Sequence, residues 1–197
     1  MYLLKELSYP YDSLEPYIDN HTLGLHKNRH QRNYLKRLNE LLEENQYDYR
    51  YPLEQLPKHI KEFSNQEDIL FNLGGVINHD IYFRSMSPKK IKPAPDLLEK
   101  INETYSSYEK WKEEFKKAAL SLKGSGYTFF GIKDEELVIQ NLSNQENPYS
   151  HNIQPLIGLD LWEHSYYINY ENNKEQYIDS FFQVIDFSYA NKIFQSI

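Results

Sequence analysis

The sequence predicts an α+β protein in which an N-terminal helical hairpin domain is followed by a C-terminal domain with a small three-stranded antiparallel sheet and flanking helices. Three observations carry this expectation. Two long stretches repeat apolar residues and histidines at steps of three or four, a proline-rich stretch interrupts helical spacing at 88–95, and beyond it two short aromatic and β-branched runs flank a charged turn.

The first helical pattern follows the turn-like Tyr9-Pro10 and Glu15-Pro16, with Asp19 or Asn20 as its cap, and runs toward Asn45. Leu23, His26, His30, Tyr34, Leu38 and Leu41 fall on one face. The second runs from Gln66 to about Met86 with the stripe Ile69, Leu73, Val76, His79 and Phe83, and Gly74-Gly75 permits close backbone approach. These two helices are expected to pack as a hairpin. Ser87-Pro88-Lys-Lys-Ile-Lys-Pro93-Ala-Pro95 cannot continue a helix, so the expected division is a hairpin domain over 1–87, a linker over 88–95 and a second domain over 96–197.

Asp96 is expected to open a short helix, and Ser106-x-x-Glu109 reads as a capping box for a helix carrying Trp111, Phe115, Ala119 and Leu122 that stops at Gly124. Tyr127–Ile132 and Leu137–Leu142 then form a hairpin about Lys133-Asp-Glu-Glu136, and Pro155–Asp160 supplies a third strand. Helical spacing returns at Tyr177, Phe181, Phe182, Val184 and Ile185, and again from Tyr189 to Phe194.

Composition limits the chemistry. With 22 basic and 29 acidic residues, a net charge of -7 and no basic block, a nucleic acid or an anionic membrane is not the expected partner. No run approaches the ~18 apolar residues of a membrane span, and Met1–Pro10 mixes both charge signs, so a soluble, cytoplasmic protein is expected. Zero Cys removes disulfides, thiolate metal sites and Cys nucleophiles, leaving His and carboxylates for any metal chemistry. Eighteen Tyr beside 10 Phe and 2 Trp supply an aromatic core whose buried hydroxyls need partners.

His26 and His30 on an apolar stripe each need their ring nitrogens satisfied, by a metal or by core hydrogen bonds, and no Glu follows His26 to make a zincin motif. In Asp160-Leu-Trp-Glu-His164, an Asp leaving a strand and a His four residues later can converge while Trp162 provides an apolar wall. A salt bridge or cap is the structural alternative for Asp160. Together His26, His79, Asp160 and His164 make a three-imidazole, one-carboxylate set suited to iron or manganese.

Leu14-Glu-Pro-Tyr-Ile-Asp19, His26-x3-His30-x3-Tyr34, Gly74-Gly75-x-x-Asn78-His79, Gly124-Ser-Gly126, Asn144-Gln145 and Gly158-Leu-Asp160-Leu-Trp-Glu-His164-Ser-Tyr-Tyr167 resemble the iron/manganese superoxide dismutases in order and spacing, from about Tyr9 to Phe187. The resemblance implies one manganese or iron ion per subunit held by His26, His79, Asp160 and His164, with solvent as a fifth ligand and superoxide as substrate. It gives Tyr34 and His30 a part in substrate entry and proton supply. Gln145 would hydrogen-bond the metal-bound solvent, and Trp162, Tyr127, Phe83 and Asn78 would surround the site. Iron-type members usually carry a Gln or His where this chain has Gly75, so the pattern favours manganese. Glu163, Tyr167 and Ser125 would meet a partner copy in a homodimer.

Departures from the family pattern are local. Tyr127, Phe129, Phe182 and Phe187 stand where Trp is common, Lys27 and Gln31 replace His, and Asn172-Asn-Lys-Glu175 replaces Asn-Arg-Arg-Pro. Lys174 keeps a charge without the planar fork of Arg, so Arg29, Lys174 and their neighbours are left to steer an anion. The expected function is superoxide dismutation. The alternative is a structural or interaction protein that keeps the fold, and a third histidine counts against a non-haem iron oxygenase.

Overall fold

In the computed structural model, which describes residues 1–196, an N-terminal helical part precedes a three-stranded antiparallel sheet with helices packed around it. Ile197, the last residue of the expected second domain, lies outside the described residues.

Asp19 caps the first helix: its Oδ1 accepts from Thr22 N at 2.9 Å. The helix begins as α1 (Asn20–Leu25), widens into a π-helical segment (His26–Gln31) and resumes as α2 (Arg32–Glu44). His26 and His30 both lie on the widened turn, a type of distortion that recurs at functional sites. Gln31 ties this turn to the second helix, donating through Nε2 to Val76 O at 3.2 Å and to Asp80 Oδ1 at 2.5 Å. A 3-10 stretch, Leu53–Glu62, contains Pro57 and joins α2 to α3 (Gln66–Arg84). No helical pattern marks it in the sequence, because Pro52 before it and Pro57 within it break the spacing.

The connector after α3 is fastened to the C-terminal tail. Met86 bridges Ile185, Ser87 N donates to Val184 O at 2.8 Å, and Asn191 accepts from Ala94 N at 2.8 Å. Helix α4 (Pro95–Tyr105) starts at Pro95, one residue before the expected Asp96, as suits a ring whose missing N–H is an orphan in any first turn. The expected capping box is displaced by one residue. Ser106 takes a left-handed conformation (φ 72°) that ends α4, and Ser107 caps α5 (Tyr108–Ser121) by accepting from Lys110 N at 3.1 Å. Glu109 is therefore not its capping-box partner. Helix α5 ends at Ser121, short of Gly124.

Strands β1 (Gly126–Lys133) and β2 (Glu136–Ser143) close on Asp134-Glu135, both with positive φ as a two-residue hairpin turn requires. β3 (Gln154–Asp160) pairs antiparallel with the other edge of β1, giving the order β2-β1-β3 and placing Tyr127 opposite Asp160. A short α6 (Tyr167–Tyr170), then α7 (Lys174–Val184) and α8 (Ser188–Phe194), complete the chain. Two apolar cores form, and each draws on both sides of the connector. One joins Leu23 and Phe83 to Trp111, Phe130 and Phe181, and the other joins Leu38 and Leu73 to Phe129 and Leu142. Among the described residues no helix is long and apolar enough to cross a membrane.

Candidate metal centre

Four elements each deliver one side chain to a single buried point. His26 comes from the π-helical turn, His79 from α3, Asp160 from the last position of β3 and His164 from the 3-10 turn Glu163–Ser165. One donor atom of each lies within 4.8 Å of all the others. Asp160 Oδ2 is the common neighbour, at 3.0 Å from His26 Nε2, 3.5 Å from His164 Nε2 and 3.9 Å from His79 Nε2. His26, His79 and Asp160 are buried, and His164 is nearly so.

Hydrogen bonds around the cluster fix its orientation. His79 Nδ1 donates to Gly75 O, which can only accept, so His79 Nε2 carries the lone pair that faces the carboxylate. Trp162 N donates to Asp160 Oδ1 at 2.8 Å, leaving Oδ2 for the cluster. The Asp160 carbonyl accepts from Ser165 Oγ at 3.0 Å and from Tyr177 Oη at 2.9 Å, and Tyr177 in turn lies 3.1 Å from Tyr82 Oη. In the sequence Tyr177 stands out only as part of an apolar stripe, and Ser165 only as one residue of the run from Gly158 to Tyr167. A Tyr inside such a stripe was the available signal, since its buried hydroxyl must find a partner.

The donor set fits a cation. Burial lowers the His26 imidazole to about 4, against the pull of Asp160, and holds His79 well below its ordinary value, so both are neutral. Burial alone would raise the Asp160 carboxyl, but the neighbouring His164 and His26 imidazoles hold it below the usual carboxylate range. His79 Nε2 and His164 Nε2 are buried with no hydrogen-bond partner among the described residues. Each such orphan is unfavourable by about 1–3 kcal/mol, and a positive ion at the point they face removes the penalty.

The flanking residues expected from the sequence also gather here. Phe83 sets its ring edge against His26, with centroids 5.1 Å apart, and Trp162 stacks on His164 at 5.7 Å while its Nε1 donates to Asn144 O at 3.1 Å. Asn78 Nδ2 donates to Gln145 Oε1 at 3.2 Å, and Gln145 Nε2 donates to Tyr34 Oη at 3.2 Å. Burial raises Tyr34 above its ordinary value, which keeps its hydroxyl protonated. His30 is half-buried and stacks on His164, with centroids 4.1 Å apart. Tyr127 is fully buried beside His79, and its hydroxyl has no hydrogen-bond partner among the described residues.

Two glycines make this arrangement possible. A Cβ on Gly74 would come 1.8 Å from Gln145 O, and one on Gly75 would come 2.3 Å from Tyr34 Cγ. Glu163 and Tyr167 are exposed and Ser125 is half-buried, so these three lie outside the cluster.

Family models for both halves of the chain match. Residues 1–87 match the alpha-hairpin domain of the iron/manganese superoxide dismutases, and residues 93–193 match the C-terminal domain of the same family. With nearly its whole length matched by the two domains in order, and with a three-histidine, one-aspartate cluster buried where they meet, the chain belongs to the iron/manganese superoxide dismutases.

Proposed function

We propose that the chain is an active superoxide dismutase in which His26, His79, Asp160 and His164 hold one manganese or iron ion, with manganese favoured. The observation that carries this is the pair of orphaned, buried nitrogens on His79 and His164 facing the Asp160 carboxylate. Held by these four residues, such an ion would supply the one-electron couple needed to dismutate superoxide to dioxygen and hydrogen peroxide, a reaction that consumes two protons.

The chain's own residues manage charge and protons. Asp160 contributes the single negative charge that offsets the cation. Tyr34 accepts a hydrogen bond from Gln145, so its own O–H remains free to donate. Together with the half-buried His30, it forms the route for the two protons the reaction consumes. Asn78 holds the Gln145 amide in register, Trp162 and Phe83 wall the cluster with apolar surface, and Tyr127 fills the side next to His79.

Manganese is favoured because the amide beside the site comes from Gln145, while the space at Gly75 is taken by the Tyr34 ring. Glu163, Tyr167 and Ser125, lying on the surface next to the His164 turn and the start of β1, are proposed to meet a second copy in an isologous homodimer. The division into 1–87, 88–95 and 96–197 and the cytoplasmic location belong to the same proposal, the latter on the strength of a cysteine-free composition. The test is superoxide decay measured with protein loaded separately with manganese and with iron. The manganese form is expected to be the faster, and inactivity of both would favour a structural role for the fold.

A further inference from the structure

The two helical segments that carry His26 and His79 are joined by a polar contact buried between them. Gln31, the last residue of the π-helical turn, is fully buried, and Lys27, four residues earlier, is 2% exposed. Lys27 Nζ donates to Gln31 Oε1 at 2.7 Å, and Gln31 Nε2 donates across to α3, to Val76 O at 3.2 Å and to Asp80 Oδ1 at 2.5 Å. A carbonyl and a carboxylate can only accept, so both N–H groups of the amide are directed to α3 and its oxygen is left to Lys27. No other orientation of the amide satisfies all three neighbours.

Each side chain of this contact belongs to the chain neighbour of a residue at the site. Lys27 follows His26, Gln31 follows His30 and Asp80 follows His79. On α3 the carbonyls of Gly75 and Val76 are consecutive, the first accepting from His79 Nδ1 and the second from Gln31. Lys27 also lies 5.3 Å from the centroid of the Phe83 ring, and that ring packs against His26. Through its other oxygen Asp80 pairs with Lys5 Nζ at 3.3 Å, and Lys5 approaches Glu54 at 3.6 Å, so the N-terminal segment and the 3-10 stretch anchor the carboxylate.

Helix packing alone does not call for such a contact. A buried amide and amine recover their desolvation only when every group is paired, and apolar side chains of the same size would fill the space. What the amide adds is register. Its two donor bonds and one acceptor bond fix the end of the widened turn against a single level of α3, the level from which His79 projects.

We propose that Gln31, oriented by Lys27, is a positioning residue of the metal centre: by bridging the π-helical turn to Val76 and Asp80 it holds His26 and His79 at the separation a bound ion needs. The inference rests on the reading that His26, His79, Asp160 and His164 hold a metal ion. It adds the group that sets the spacing of the two ligands contributed by the helical hairpin.

The experiment strips the full chain of metal, restores manganese(II) by titration against a chelator of known affinity, and records the electron paramagnetic resonance spectrum of the loaded protein, which reports the symmetry of the ligand set. Gln31→Met, which keeps the length of the side chain and removes the amide, is expected to weaken manganese binding at least tenfold and to alter the spectrum. Ser107→Ala, which weakens a helix cap outside the site, should change neither, so that loss of stability alone is told apart from loss of positioning. Gln31→Glu sets a second carboxylate against Asp80 and should also weaken binding, and adding Asp80→Asn to it should recover most of the loss, since donor and acceptor are then exchanged. This pair serves if Gln31→Met does not fold. Native affinity and a native spectrum in Gln31→Met, or no recovery in the double variant, would overturn the positioning role while leaving the metal reading intact. A native chain that binds no manganese would overturn the metal reading and this inference with it.

Discussion

Gly75 packs directly beneath the ring of Tyr34, so that a methyl group added at Gly75 would stand 2.3 Å from Tyr34 Cγ. Position 75 thus sets where the Tyr34 hydroxyl sits, and with it the bond that Gln145 Nε2 makes to Tyr34. Gly75→Ala is expected to push the ring outward and lower stability by about 1–3 kcal/mol, the range for forcing a methyl into a packed site. Urea unfolding measures the loss. Dismutation by this variant should fall at unchanged metal content, and full activity would show that the Tyr34–Gln145 contact is dispensable.

Gln145 is buried and bonded at both ends of its amide, accepting from Asn78 and donating to Tyr34. Gln145→Ala removes both bonds while leaving the four cluster residues in place. Turnover is expected to drop about 10–100-fold, with metal occupancy changing much less. Parallel steady-state rates and elemental analysis separate the two effects.

The adjacent serines Ser106 and Ser107 should respond in opposite directions. Ser107 caps α5 through its hydroxyl, so Ser107→Ala is expected to cost about 1 kcal/mol. Ser106 sits at φ 72°, where glycine is less strained, so Ser106→Gly is expected to leave stability unchanged or raise it by up to ~1 kcal/mol. Thermal melts of the two single variants check the contrast.

Alkaline conditions should destabilise the protein in a defined window. Burial pushes the Tyr105 and Tyr108 phenols up to about 12 and raises Tyr9 as well, against about 10 in an unfolded chain. Because the folded values are the higher ones, the stabilisation is fully present below pH ~10 and is lost as pH rises toward 12. Unfolding followed alongside phenolate absorbance should show both changes together, whereas phenols titrating near 10 in the folded protein would contradict the burial.

Much of this architecture was legible in the sequence because it rests on local signals. The Asp19 cap, the two histidine-bearing stripes and the change to strand period around Asp134-Glu135 each act within a few residues. The displaced features depend on backbone geometry that composition does not encode. Two consecutive serines offer the same hydroxyl, and only the left-handed turn at Ser106 decides that Ser107 is the cap. The π-helical widening at His26–Gln31 is likewise invisible to a pattern of threes and fours, since its stabilising bonds from Gln31 reach Val76 and Asp80 on another helix.

For the site, the Asp160–His164 segment was legible as a unit, but what supports it comes from far along the chain. Tyr177 and Tyr82 form their hydroxyl contact across 95 positions, and Asn78 reaches Gln145 across 67.

A redox metal held by the four residues is tested most directly by counting metal atoms per chain and measuring superoxide decay on the same preparation, for the native protein and for His79→Ala. Close to one manganese or iron per native chain with rapid decay is expected, with both lost in the variant. Native protein without either metal, or a variant that retains full dismutation, would contradict it.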